Sequence, residues 1–213
     1  MFDYSVMPIK KQDTYDWILN IHYAKRLPTI CFAFGLFKDK KIKGISTFGK
    51  PASNSLCIGI LGKEYSSKVY ELNRLVVEEG LEKNVLSYFV SQSLKLLKRL
   101  KKPLCLVSYA DSGLGHHGYI YQATNWIYTG CTKERTDIQV PEGKHSRHYD
   151  KNIDYSLNRK IRTAKFRYVY FIGMKPQIKE MKKELKYPII PYPKGDNKRY
   201  EINKKAIIQE VLW

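Results

Sequence analysis

A chain of 213 residues suits one domain, or one domain with a tail, and 43% apolar with 13% aromatic residues is enough for a packed core rather than a disordered polymer. Lys and Arg number 38 against 20 Asp and Glu, a formal charge of +18, so a polyanion is the expected partner, with nucleic acid first. No apolar run reaches membrane length and no signal-like N-terminus is present, which argues against a bilayer and for a cytoplasmic address.

The positive excess is uneven. Residues 151–213 hold 16 Lys and Arg against 6 Asp and Glu, so more than half of the surplus lies in less than a third of the chain. A solvated Lys-rich surface explains part of it, and a DNA-backbone contact explains the clustering better. The cysteines Cys31, Cys57, Cys105 and Cys131 show no metal-ligand spacing and are expected as free thiols in a reducing compartment.

In chain order, Tyr4 to Ile9 reads as a short first strand. Asp13 or Thr14 can cap a helix whose apolar face is Trp17, Ile18 and Ile21, stopped by Pro28. Thr29 to Phe37 and Ile42 to Phe48 form a hairpin around Lys38–Lys41. Pro51 to Leu56 is a polar loop and Cys57 to Leu61 a short strand. Val69 to Val77 is a strand carrying Glu71, Asn73 and Arg74. From Asn84 to Leu100 the positions Leu86, Phe89, Val90, Leu94, Leu97 and Leu100 follow the helical period, with Lys98 and Arg99 in the last turn. Leu104 to Ala110 returns as strand, then come a short helix, a strand over Trp126 to Thr132 and a last strand over Phe166 to Ile172. Glu134 to Ser156, with His145 and His148, reads as a surface loop. Pattern weakens after Gly173, the run Pro188, Pro191, Pro193 excludes regular helix there, and Ile202 to Leu212 is a candidate last element. The sum is a mixed α/β (α+β) domain, a mostly antiparallel sheet with helices on both faces. Residues 1–150 read as its catalytic core and 151–213 as a basic extension containing the last core strand.

Chemistry concentrates where the strand ending at Ala110 runs into Asp111, a glycine-rich turn, His116, His117 and a tyrosine-rich helix. Strand ends opening into glycine loops hold a side chain rigidly while backbone approaches a ligand. For Asp111 alone, service as a cap acceptor is an equal alternative.

These residues resemble a known family. Tyr109-Ala-Asp111, then Gly115-His-His-Gly118, Ile120-Tyr-Gln-Ala123 and Trp126 to Gly130 are similar to the Mom family of bacteriophage DNA-modification proteins. Glu71-Leu-Asn-Arg74 followed by Lys83-Asn84 and Val85-Leu86-Ser87 resembles the same family's cofactor-binding half, and His22-Tyr23 is a third, short match. The resemblance covers about residues 15 to 135. It implies a GNAT-like acyltransferase fold and a phage-encoded enzyme in the host cytoplasm. The implied reaction adds a carbamoylmethyl or acetamido-type group to adenine N6, protecting phage DNA from restriction.

It also implies acetyl-CoA or a related acyl-CoA as cofactor, its pyrophosphate on the helix start Lys83, Asn84, Val85, Leu86 and Ser87, with Arg74 on the preceding strand. The usual glycine-rich loop is missing there. Read from residues alone, the same segment is an ordinary capped helix start, and Arg74 is equally a partner for Glu71 or Glu78. Adenine N6 has its lone pair delocalised, so an enzyme must remove a proton and hold the amine at attack distance. Asp111 is the candidate to accept a hydrogen bond from the amine or to act as base, Tyr121 the candidate acid, and His22 with Tyr23 the acceptor wall. The resemblance adds iron as an option, with His22, Asp111 and His116 as ligands.

The base must leave the duplex, and Tyr23, Tyr119, Tyr121 and Trp126 are candidates to stack it. For phosphate contacts the candidates are His116, His117, Lys160, Arg162, Lys165 and Arg167. A homodimer is left open. Two other readings stand beside this one. They are a GNAT N-acetyltransferase acting on a small amine or a protein, and a basic DNA-binding protein without activity.

Overall fold

The computed structural model describes residues 3–139, 150, 152 and 159–195. The expected elements at His145, His148 and Ile202 to Leu212 lie outside these residues.

The elements in order are β1 (Ser5–Pro8), β2 (Phe32–Lys38), β3 (Lys41–Gly49), α1 (Asn54–Tyr65), β4 (Val69–Val77), α2 (Val85–Leu100) and β5 (Leu104–Asp111). They continue with α3 (Tyr119–Ala123), β6 (Ile127–Cys131), β7 (Arg135–Ile138), β8 (Arg159–Arg162), β9 (Lys165–Ile172) and α4 (Lys175–Lys183). Seven strands make one sheet in the order β1-β2-β3-β4-β5-β9-β6, and β7 and β8 form a separate two-stranded ribbon. Only the β4–β5 pair is parallel, as the crossover through α2 requires. The fold class read from the sequence is the one observed.

Helix α2 covers one face, burying Val85, Phe89, Val90, Leu94 and Leu97 against Leu72, Leu104 and Leu106. Helices α1 and α4 cover the other, with Cys57, Ile60, Leu61 and Met181 against Val69, Val107 and Phe171. Alternate residues of β5 therefore serve opposite faces.

Two irregularities position the site. First, β4 and β5 pair at only three positions, Val69–Cys105, Tyr70–Leu106 and Glu71–Val107, and then diverge, opening a split in the sheet. Second, Leu72 pairs with Phe48 and Arg74 with Thr47, so Asn73 is an extra residue, a bulge on β4. Thr47 donates to Asn73 Oδ1 at 2.6 Å and Asn73 Nδ2 donates to the Thr29 carbonyl at 2.9 Å, fixing the bulge. Because a bulge reverses the alternation, Arg74 falls on the same face as Glu71, away from α2.

Several elements differ from expectation. Cys57 to Ile60 is helix, with a kink at Leu61 and Gly62: a short apolar run cannot separate strand from helix, and Cys57, Ile60 and Leu61 are all buried. The first helix is instead a 3-10 turn at Lys11–Thr14 and a π turn at Trp17–Ile21, though its apolar residues Trp17 and Ile18 do pack, against Ile45 and Val76. The β7–β8 ribbon and α4 were not expected; α4 buries only Met181, too little for a visible apolar stripe. Strand β9 lies between β5 and β6, so the sheet is closed by residues late in the chain. Among the described residues no helix is long and apolar enough to cross a membrane.

Candidate active site

On the face of the sheet away from α2, the ends of β4, β5 and β9 bring Glu71, Arg74, Tyr109, Asp111 and Lys165 together, and the π turn adds His22 and Tyr23 beside them. A π turn is costly and tends to occur at functional places. Here the His22 N–H donates to the Trp17 carbonyl at 2.9 Å, which ends the turn and turns the chain toward the sheet.

His22 is buried and its ring stacks on Tyr23 at 4.3 Å between centroids. The Ala24 N–H donates to His22 Nδ1 at 3.0 Å, so Nδ1 is an acceptor and the proton of the neutral ring belongs on Nε2. Burial first, then the charges of Arg74 and Lys165, push its pKa down to about 3, so the ring is neutral near pH 7. Tyr23 remains 43% exposed, and burial of its hydroxyl side together with Asp111 lifts it to about 12.

The two carboxylates differ sharply. Lys165 Nζ lies 2.5 Å from Asp111 Oδ2, while Thr163 Oγ1 at 2.5 Å and the Gly113 N–H at 3.1 Å donate to Oδ1. Burial opposes the charge on Asp111, but these three donors outweigh it and hold the carboxyl below its ordinary value. Glu71 is half-buried, and its pKa is raised by burial, with Arg74, Lys165 and Arg26 pulling the other way. The sequence reading passed over it as a strand residue; its signal was a carboxylate on a strand, three residues before an arginine.

Arg74 is buried and spends its guanidinium on backbone carbonyls, Nη1 on Asn73 at 2.5 Å and Nη2 on Arg26 at 2.6 Å. Among the described residues no hydrogen-bond partner reaches its buried Nε. Arg74 ties the His22–Arg26 loop to β4 and lies with His22, Tyr23 and Glu71 rather than with Lys83–Ser87.

On the opposite face, Tyr121 is buried beside Ser108, their hydroxyls 2.7 Å apart, and Ser108 Oγ is 2.8 Å from the Leu72 carbonyl at the start of the split. A carbonyl only accepts, so the single Ser108 proton is directed to Leu72 and Tyr121 donates to Ser108. Burial raises the Tyr121 pKa, so the phenol keeps its proton. Asp111 and Tyr121 thus lie on opposite faces of β5 rather than side by side. Gly118, at φ +80, precedes α3 because any Cβ there would collide with the Tyr168 ring.

At the start of α2, Lys83 is exposed and Asn84 takes a left-handed conformation, φ 71, with no side-chain cap, which corrects the expected cap. The N–H groups of Leu86 and Ser87 are in the first turn and have no intrahelical acceptor. An uncapped helix start and a split between β4 and β5 suit a pyrophosphate and an extended arm. Val85 is fully buried and only anchors the turn.

Other expected residues are corrected by burial or bonding. Trp126 is fully buried against Tyr121 and Tyr170, so it packs the core and cannot stack a base. Arg167 is buried, bonds Thr129 through Nε at 3.0 Å and Nη2 at 2.8 Å, and lies over the Tyr187 ring, so it is not a phosphate contact. Lys165 is the partner of Asp111. His117 is half-buried against Phe166, and its carbonyl accepts from Tyr168. The His116 N–H donates to the Asp111 carbonyl at 3.1 Å, and the side chain is half-buried. Lys160 and Arg162 lie on the β7–β8 ribbon. Among the described residues no group of three His, Cys, Asp or Glu comes together to hold a metal, and the Asp111 carboxylate and His22 Nδ1 are already engaged. The iron site imagined for His22, Asp111 and His116 does not fit this geometry.

Solved structures share the architecture. A GNAT family acetyltransferase from Elizabethkingia anophelis with acetyl-CoA bound superimposes with a TM-score of 0.50 at 13% identity, covering 80% of this chain and 99% of that one. An N-acetyltransferase from Staphylococcus aureus gives 0.49 at 14% identity over 81% and 100% of the two chains. By sequence, the methylcarbamoylase Mom of Escherichia phage Mu is 25% identical over 111 residues. That match spans 51% of this chain and 46% of the phage Mu protein. The family model of the Mom proteins matches residues 3–194, nearly the whole described chain, including every residue placed at the β4–β5 split. With a GNAT-type sheet beneath that match, the chain belongs to the Mom protein family.

Proposed function

We propose that this protein is a DNA-modifying transferase in which the N6 amine of adenine attacks the thioester carbonyl of acetyl-CoA or a related acyl-CoA, so that the N–acyl bond forms as the C–S bond breaks and the CoA thiolate leaves. The observation that carries the reading is the pair of unlike carboxylates, Glu71 and Asp111, on either side of a split sheet whose far face holds a proton-bearing Tyr121. Family membership and the formal charge of +18 support DNA as the acceptor.

Lys83 and the N–H groups of Leu86 and Ser87 would hold the cofactor's phosphates, and the bound cofactor would supply an activated thioester. Glu71 takes the amine proton, because a carboxyl raised toward neutrality is a better base than one held down. Asp111, kept charged by Lys165, accepts a hydrogen bond from the amine and orients it. The neutral His22 donates through Nε2, and Tyr23 provides the stacking face for a base turned out of the duplex. Tyr121 holds a proton at its phenol for a leaving thiolate.

Plasmid DNA from cells expressing the protein should resist restriction enzymes whose sites contain adenine, and DNA from cells expressing Glu71→Gln should not. Equal cleavage of both DNAs, with soluble protein in both strains, would count against the reading.

A further inference from the structure

The β7–β8 ribbon is unused by the fold's core. It pairs Arg135 with Arg162, Thr136 with Ile161, Asp137 with Lys160 and Ile138 with Arg159. Strand alternation puts Arg135, Asp137, Lys160 and Arg162 on one face, three cations around one carboxylate. Arg135 and Arg162 stand directly opposite each other, an arrangement that costs stability in a ladder. Asp137 serves both, 3.7 Å from Arg135 Nε and 3.3 Å from Arg162 Nη1, yet the Arg135 side chain remains 60% exposed and Lys160 is exposed. Among the described residues, Arg135 and Arg162 share the one carboxylate of Asp137 and Lys160 adds a third cation, so this face carries net positive charge.

Its roots lie at the candidate active site. Thr163, the residue after Arg162, donates to Asp111, and Thr132, just before the ribbon, exchanges backbone and side-chain hydrogen bonds with Lys165 at 2.9 Å. Both ends of the ribbon thus hold the two residues of the Asp111–Lys165 pair. Four residues of strand extend about 13 Å, long enough to pass about four phosphates of one strand.

We propose that the β7–β8 ribbon is the duplex-docking arm, laying Arg135, Lys160 and Arg162 on the phosphates flanking the base that enters the site. The inference rests on the DNA reading above. It replaces a diffuse basic C-terminal surface with one defined face, and it excludes Lys165 and Arg167 from phosphate contact. Phosphate contacts fix register without reading sequence, so the arm places the duplex while the acceptor cluster selects the base.

The test uses the full chain with a duplex oligonucleotide and with acetyl-CoA. The variant Arg135→Gln/Lys160→Gln/Arg162→Gln should bind duplex more weakly, with a plot of log affinity against log salt shallower by about three units. Its thermal shift with acetyl-CoA should match wild type. Lys160→Gln alone, at an exposed position where folding is not at stake, should lower the slope by about one unit. If wild type binds duplex and both variants keep its affinity and slope, the arm is wrong while the DNA reading stands. If wild type itself fails to bind duplex, the DNA reading fails and the arm with it.

Discussion

Lys165 Nζ sits 2.5 Å from Asp111 Oδ2, joining β9 to β5 across one cross-strand pair at the mouth of the sheet's split. The lysine expected to grip DNA instead keeps the Asp111 carboxylate charged. Replacing it exposes what the pair does. Lys165→Met should cost about 2 kcal/mol at pH 7, the scale of a charge-assisted hydrogen bond between partly buried groups. Because the Asp111 pKa is lowered in the folded protein, this contribution is present above the unfolded value and is lost as pH falls through the folded one. Urea unfolding from pH 7 down into the acid range should therefore show the gap between wild type and variant closing. A gap that holds constant would remove the ion pair from the account.

The carboxylates should rank unequally in activity. Glu71→Gln is expected to slow modification by about a hundredfold or more, the contribution of a general base, whereas Asp111→Asn should lose less, because its carboxylate orients and does not carry the proton away. The raised Glu71 pKa also predicts an acid limb in the pH profile of the rate, with activity falling as Glu71 becomes protonated. Rates from a nucleoside assay across pH check both points, and equal losses in the two variants would return Asp111 to the role of base.

Tyr121→Phe should keep the fold and lose the chemistry. Among the described residues the phenol bonds Ser108, which retains its bond to Leu72, so destabilisation should stay at about 1 kcal/mol. The rate should fall about a hundredfold. Thermal unfolding measured beside the rate separates the two effects, and an unchanged rate would leave Tyr121 as a core residue only.

The aromatic residues divide by exposure. Trp126→Ala should cost about 3–5 kcal/mol as a fully buried ring is removed. Tyr23→Ala, at a ring 43% exposed, should leave stability nearly unchanged and weaken binding to a duplex with an unpaired adenine. Calorimetry and a binding titration on both variants test the division. A stable Trp126→Ala protein with lost base binding would reverse it.

Much of this was legible in the sequence. The period of α2, the hairpin of β2 and β3 and the strand before Asp111 stood out because each repeats its apolar positions over seven or more residues. The Asp111 loop was visible because titratable and glycine residues crowd there. What stayed hidden depended on contacts between distant segments. The bulge at Asn73 reverses which face Arg74 serves, and a single extra residue leaves no periodic trace. Lys165 and Arg167 looked alike as basic residues of a basic segment, and only their register with Asp111 and Tyr109 separates an ion-pair partner from a buried anchor. Glu71 was missed because the burial that raises its pKa is a property of the fold.

The cofactor assignment has its own check. Acetyl-CoA or CoA at millimolar concentration should raise the melting temperature, since a ligand bound to the native state alone stabilises it. Ser87→Glu should cancel the shift by placing a negative charge at the α2 start, where phosphates would lie. Protection that survives Ser87→Glu would move the cofactor elsewhere.

Mass spectrometry of nucleosides digested from the DNA of expressing cells decides whether the acceptor cluster acts on adenine at all. Wild-type protein should yield a modified deoxyadenosine that carries the added group on N6, and Glu71→Gln, equally soluble, should yield almost none. Unmodified nucleosides from the wild-type strain, or an adduct on another base, would contradict the account.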